Sequence, residues 1–227
     1  NGVFKNNQIT MGHTRLRIID DNERSNQPML SKCRRYIIIF NGEIYNYREL
    51  RSQFNLNNLR TSSDTEILLE LFIKFGEKTN LYLKGMFSYA IWDDFEKKLF
   101  CAVDHFGIKP LYYAHSKKNL IISSEPRIIA NFLKNKSPNY QTIYDYLNFG
   151  LCDHTNMTFY KDIFKLQGGN QFWADLDGKI STEDRLRFKS EIRNIENALQ
   201  TKLESAEFSS AHKVIFLQVF NNFQNDI

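Results

Sequence analysis

Residues Phe87–Val103 read FSYAIWDDFEKKLFCAV. Two apolar runs, Phe87 to Trp92 and Leu99 to Val103, flank a polar connector from Asp93 to Lys98. Short runs rich in aromatic and β-branched residues around a charged connector predict an antiparallel hairpin with a longer loop. The signature recurs downstream, where Leu111–Ala114 and Leu120–Ser123 flank Lys117-Lys118-Asn119. Upstream, Tyr36-Ile37-Ile38-Ile39-Phe40 is a dense apolar run of strand length, which predicts a strand covered on both faces. That strand is expected to stop at Asn41-Gly42, a pair that readily forms a tight turn. Ile9–Met11 and Leu16–Ile19 are short β-like runs. Phe172–Leu176 reads as a last strand, after a turn at Gly168-Gly169 and before one at Asp177-Gly178.

Helical patterns lie between these strands. In Asp64–Phe75, Ile67, Leu68, Leu71, Phe72 and Phe75 form an apolar stripe at helical spacing. Ser63 is placed to cap it, Glu66 follows three positions on, and Gly76 ends it. Tyr45–Phe54 reads as a shorter helix, capped by Asn46, with Glu49 completing an approximate capping box and Leu50 and Phe54 on its apolar face. Glu125–Leu133, with Pro126 in its first turn, and Tyr140–Phe149, stopped by Gly150, are two more. Beyond residue 177, Glu191–Leu203 carries a helical pattern and Val214–Phe220 an apolar run of strand length. This order is not a repeated strand–helix alternation. It predicts an α+β chain of antiparallel sheets covered by helices.

With 42% hydrophobic and 25% charged residues, the composition is that of a globular chain with a core, not of a disordered one. The formal charge of +4 is spread along the sequence, and no basic stripe or nucleic-acid module concentrates it. Cys33, Cys101 and Cys152 are too widely and irregularly spaced for a zinc site or a disulfide framework, which fits reduced thiols and a cytoplasmic location. The histidines have no metal-ligand spacing, and no apolar run approaches the roughly 18 residues that begin to suggest a membrane helix.

The segments Gly12-His13-Thr14-Arg15-Leu16, Asn26-Gln27-Pro28-Met29 and Phe40-Asn41-Gly42-Glu43-Ile44-Tyr45-Asn46 occur in this order. Ser63-Asp64-Thr65-Glu66, Gly85-Met86-Phe87, Asp104-His105-Phe106-Gly107-Ile108-Lys109-Pro110-Leu111-Tyr112-Tyr113 and Ser124-Glu125 follow. Together they resemble the N-terminal glutaminase domain of the glutamine-hydrolysing asparagine synthetases, a class II, N-terminal-nucleophile amidotransferase domain. The resemblance covers nearly all of residues 3–177 and implies a four-layer α/β/β/α sandwich of antiparallel sheets. It implies glutamine hydrolysis in this domain and, in the intact enzyme, use of the ammonia by a second domain. There ATP and magnesium activate aspartate as an adenylate and asparagine is released.

The resemblance also assigns roles. Arg15 matches the arginine that takes the substrate carboxylate, a task suited to a planar bidentate cation. Asn41 and Gly42 match the oxyanion hole, supplying a side-chain NH₂ and a backbone N–H to the charge that develops on the amide oxygen. Glu43 and Asp64 match the acids that hold the substrate ammonium. Asp64 also opens a helix, where an acid is favourable with no substrate at all. His13 and His105 match family positions but not family catalysts and are expected to pack or form hydrogen bonds, and Asp104 and Lys109 are expected to pair with each other or bind a neighbouring loop.

The family nucleophile is a cysteine at the mature N-terminus whose own α-amine can serve as base. Asn1 holds the first position here, so the resemblance implies an N-terminally incomplete glutaminase domain over residues 1–177. Residues 178–227 are then a linker and a truncated or aberrant start of the synthetase region. No Ser-Gly-Gly phosphate loop for ATP is present, and no cofactor is expected on this chain. Gly168, Pro126 and Arg127 depart from the family pattern. The partners implied are glutamine, the synthetase domain of the parent enzyme and a second copy in a homodimer, with neither nucleic acid nor membrane. The chain is expected to be inactive alone. The alternatives are a remnant that binds glutamine or a partner without catalysis, and a fragment of an amidotransferase of amino-sugar or surface-polysaccharide synthesis.

Overall fold

A computed structural model describes residues 2–15, 23–116 and 119–181, all within one compact unit. The runs expected at Leu16–Ile19, Glu191–Leu203 and Val214–Phe220, the Lys117-Lys118 turn and most of the region beyond residue 177 lie outside the described residues.

The hairpin that opens the sequence reading is the centre of the fold. Strands β5 (Gly85–Asp93) and β6 (Lys98–Val103) pair antiparallel, Ser88 opposite Val103 and Asp93 opposite Lys98. On the other side of β5 runs β4 (Tyr36–Ile44), followed by the short β3 (Met29–Leu30). On the far side of β6 lie β10 (Gln171–Ala174) and β11 (Ile180–Ser181), giving the order β11-β10-β6-β5-β4-β3. A two-stranded sheet joins β1 (Gly2–Lys5) to β2 (Thr10–His13). A third sheet places β7 (Tyr112–Ser116) between β8 (Asn119–Ser123) and β9 (Phe164–Lys165). Every strand pairing among the described residues is antiparallel. The α+β, antiparallel expectation therefore holds.

Three buried clusters follow from strand alternation. Ile38, Phe40, Phe87, Tyr89, Ile91 and Phe100 meet Leu50 of α1 (Tyr47–Gln53) and Ile67, Leu68, Leu71 and Phe72 of α2 (Asp64–Phe75). From the opposite face of the large sheet, Ile37, Ala90, Trp92, Cys101 and Phe172 pack with Met11, Leu111 and Leu166. The third cluster joins Ala114 of β7 and Ile163 to Ile129 and Ala130 of α3 (Pro126–Leu133). The remaining helix, α4 (Tyr140–Phe149), begins after Asn139, whose side chain accepts from the Thr142 N–H, and ends at Gly150. Both faces of β4 are covered, as its apolar run predicts, because Ile37 and Ile38 enter different clusters. Among the described residues no helix is long and apolar enough to cross a membrane.

Two local expectations need correction. The strand does not stop at Asn41-Gly42: pairing with β5 continues through Asn41–Ser88, Gly42–Phe87, Glu43–Met86 and Ile44–Gly85. Asn46 precedes α1, but its side chain does not cap the helix. It donates to the Tyr82 carbonyl at 2.9 Å and accepts from the Lys84 N–H at 2.9 Å, because the chain entering β5 presents unpaired backbone groups there.

The cap of α2 forms as expected, Ser63 Oγ accepting the Glu66 N–H at 3.3 Å. The Glu66 carboxylate turns away to the preceding loop. It accepts from Arg60 N and Nε and from Thr61 N and Oγ1, at 2.7–3.1 Å. Burial alone would raise the Glu66 pKa, yet these bonds outweigh it and hold the carboxyl below its ordinary 4.5. A depressed acid contributes stability that is complete above the unfolded pKa and lost as pH falls through the folded one. Glu66→Gln is expected to destabilise the chain by about 2 kcal/mol at neutral pH, since an amide cannot accept from all these donors. The gap between wild type and variant should close as pH falls below 4.5. Urea denaturation across pH measures it, and a gap independent of pH would contradict the assignment.

Candidate functional site

Along a β-strand, alternate residues direct their N–H and C=O to opposite neighbours. In β4 and its continuation the odd residues address β5, as the bond from Tyr45 N to Lys84 O at 2.8 Å shows. The even ones address the β3 side, where Ser31 N donates to Tyr36 O at 2.9 Å. β3 ends opposite Ile38, so Phe40, Gly42 and Ile44 face that side with no strand beside them among the described residues. Side chains replace the strand. Gln27 Oε1 accepts the Phe40 N–H at 2.6 Å, His13 Nε2 donates to the Phe40 carbonyl at 3.0 Å, and Asp64 Oδ2 accepts the Ile44 N–H at 3.0 Å. Between these held groups the alternation turns the Gly42 N–H toward a cavity of about 140 Å³ that Gly42 helps to line.

Arg15, just beyond β2, borders the same cavity, as do Asn41 and Glu43 of β4 and Asp64 and Thr65 of α2. Asp64 is 5% exposed. Burial raises its pKa above the ordinary 3.8, against the hydrogen bonds from Ile44 and Thr65 that favour the charge, and Glu43 adds to the rise. A carboxylate placed only to complement a helix N-terminus would be lowered instead. Burial thus outweighs both the hydrogen bonds and the helix N-terminus at this carboxyl. His13 is also perturbed: burial lowers its pKa below 6.5, and its Nδ1 is enclosed with no hydrogen-bond partner among the described residues. Burial favours the neutral ring, which donates to the Phe40 carbonyl through Nε2.

The sequence model of the glutamine amidotransferase domain family matches residues 1–186. The chain belongs to that family. An asparagine synthetase homologue of Methanocaldococcus jannaschii is 34% identical over 192 residues, covering 77% of this chain and 37% of the relative. The asparagine synthetase [glutamine-hydrolyzing] 1 of Bacillus subtilis is 32% identical over 215 residues, covering 93% of this chain and 34% of the relative. The chain thus spans about a third of the length of these curated relatives. Among solved structures, the glutamine phosphoribosylpyrophosphate amidotransferase of B. subtilis superposes with a TM-score of 0.53 at 18% identity, over 76% of this chain and 34% of that one. That likeness bears on the fold alone.

In this amidotransferase domain all five residues singled out from the sequence, Arg15, Asn41, Gly42, Glu43 and Asp64, border one cavity. Sequence reasoning gave no site role to Gln27, Thr65, Met86 or Lys109, which border it too. Of the two outcomes expected for Asp104 and Lys109, the loop interaction is the one observed: Asp104 accepts the backbone N–H of Lys109 at 3.1 Å, and Lys109 borders the cavity. The cysteines lie elsewhere. Cys101 is fully buried, which pushes its thiol pKa up, and Cys33 and Cys152 are exposed away from the cavity lining. An adjoining cavity of about 550 Å³ shares His13, Thr14, Phe40 and Asn41 with the first.

Proposed function

We propose that the cavity is an L-glutamine site and that the chain is the glutaminase part of a class II, asparagine-synthetase-like amidotransferase. The observation that carries the reading is the convergence of Arg15, Asn41, Gly42, Glu43 and Asp64 on one concave site from three separate segments. Arg15 offers a bidentate partner to the α-carboxylate, and Glu43 and Asp64 face the α-ammonium. Asn41 Nδ2 and the Gly42 N–H stabilise the oxyanion when a thiolate attacks the amide carbon. The three core clusters are in keeping with the four-layer sandwich of the family. Transfer of the ammonia to aspartyl adenylate, with ATP and magnesium, belongs to the parent enzyme as a whole.

Because none of its three cysteines lines the cavity, the 227-residue chain is expected to bind glutamine without turning it over. Calorimetric titration with L-glutamine tests the binding. Arg15→Met should weaken it about tenfold or more. Asp64→Asn should weaken it while leaving the chain as stable or more stable at neutral pH, since the raised pKa marks a carboxylate that folding disfavours. Affinity should fall with acidification at a pH above the ordinary 3.8. Glutamate release by the purified chain, followed separately from asparagine and AMP formation, would overturn the binding-only expectation. Unchanged affinity in both variants would overturn the site.

A further inference from the structure

We propose that Gln27 is a positioning residue that sets the span between the two ends of the cavity, and with it the length of amino acid the site accepts. The inference rests on the glutamine-site reading. Gln27 is 5% exposed and its side chain is bonded at both ends. Its Oε1 accepts from Phe40 N at 2.6 Å, and its Nε2 donates to Thr65 Oγ1 at 3.3 Å. Phe40 immediately precedes the Asn41–Gly42 pair on β4, and Thr65 immediately follows Asp64 on α2. One planar carboxamide therefore spans the strand that carries the amide-end donors and the helix that carries an ammonium-end acid.

The other bond in this gap, from Ile44 N to Asp64 Oδ2, uses the carboxylate that must also meet the ligand. An acid that alone held helix to strand would change the spacing whenever it turned toward an ammonium. Gln27 relieves Asp64 of that duty. It fixes the separation through groups that do not touch the ligand's charge, and the rigid amide permits little stretch.

The test compares L-glutamine with L-asparagine, which carries the same groups one methylene closer together. Thr65→Val keeps the shape and removes the acceptor, and Gln27→Met removes both bonds. With the span fixed, wild type prefers glutamine, and Thr65→Val should shrink the preference about fivefold, the share of discrimination that one methylene and one hydrogen bond can carry. A purely structural role would lower the melting temperature and weaken both ligands by one factor. Equal weakening, or no change in the ratio, would overturn the proposal. Amide hydrogen exchange of the unliganded chain reads the clamp directly. In Gln27→Met the Phe40 amide should exchange at least about tenfold faster while Ile38, held by β3, is unchanged. A wild type that binds neither amino acid would refute the glutamine site, and the clamp would then stand or fall on the Phe40 amide.

Discussion

Asp104→Ala is expected to remove a large part of the stability of the described fold. The side chain is 1% exposed and its two oxygens serve four backbone donors. Oδ1 accepts from Phe106 N and Ile108 N, each at 3.0 Å, and Oδ2 from Phe87 N at 2.9 Å and Lys109 N at 3.1 Å. The backbone joins in: Asp104 N donates to Phe87 O at 2.7 Å, and Asp104 O accepts from Gly107 N and Gly169 N. Alanine would leave four amides without acceptors, at about 1–3 kcal/mol for each one that water cannot reach. The total exceeds about 4 kcal/mol, a large part of the 5–15 kcal/mol typical of a domain. Asp104→Asn keeps one accepting oxygen and should lose about half as much. Urea denaturation decides it, and a loss under about 1 kcal/mol for the alanine variant would mean that water or a shifted loop satisfies the donors. Glutamine affinity should fall in parallel, since Lys109 and Met86 in the cavity wall adjoin residues that this carboxylate holds.

The elements that were legible in the sequence are those whose cause is local. The β5–β6 hairpin shows in its alternation of runs and connector, and α2 in its stripe with Ser63 before and Gly76 after. What was misread depends on partners distant in sequence. Asn41-Gly42 has the composition of a turn, and only the approach of Met86 and Phe87 shows why a glycine is needed inside a continuing strand. Asn46 has the type of a cap, but the unpaired groups at Tyr82 and Lys84 claim it. Among the described residues Gln27 and His13 bond the Phe40 backbone beyond the end of β3, and no periodicity reveals a ladder that stops opposite Ile38. The five candidate site residues come from three segments and have no shared periodicity, so only the run of motifs around them points to a cavity that tertiary structure assembles.

The departure at Gly168 has a similar tertiary cause. A Cβ there would lie 2.7 Å from His105 O and 2.8 Å from Gly107 N, so the turn before β10 packs directly against the loop that Asp104 organises. The same loop leads through Pro110 to Leu111, which borders the adjoining cavity. Backbone-to-backbone contact thus joins the turn before β10 to the loop that Asp104 organises.

Gly42→Ala is the other change with a large expected effect, and it separates the need for glycine from the habits of Asn-Gly pairs. Gly42 has φ +150°, a backbone conformation that a side chain rarely adopts. A Cβ would sit 2.1 Å from Met86 O and 2.6 Å from Phe87 Cα. Both obstacles are backbone of the central strand β5, so no rotamer change relieves them, and β4 must move away from its partner. The displacement would break the bonds of Asn41 and Glu43 to β5 and shift the Gly42 N–H out of line. A loss of about 3 kcal/mol or more is expected, with glutamine affinity reduced beyond detection. Gly12→Ala is the control. It also lies in a strand, but a Cβ there meets nothing within 4 Å among the described residues, and its effect should stay within about 0.5 kcal/mol. Denaturation of the two variants side by side makes the comparison. Equal stability would mean that β4 and β5 separate freely at Gly42, and the Gly42 N–H could then not be a preorganised donor. A destabilised Gly42→Ala chain that still bound glutamine with wild-type affinity would keep the strand argument and remove the oxyanion role.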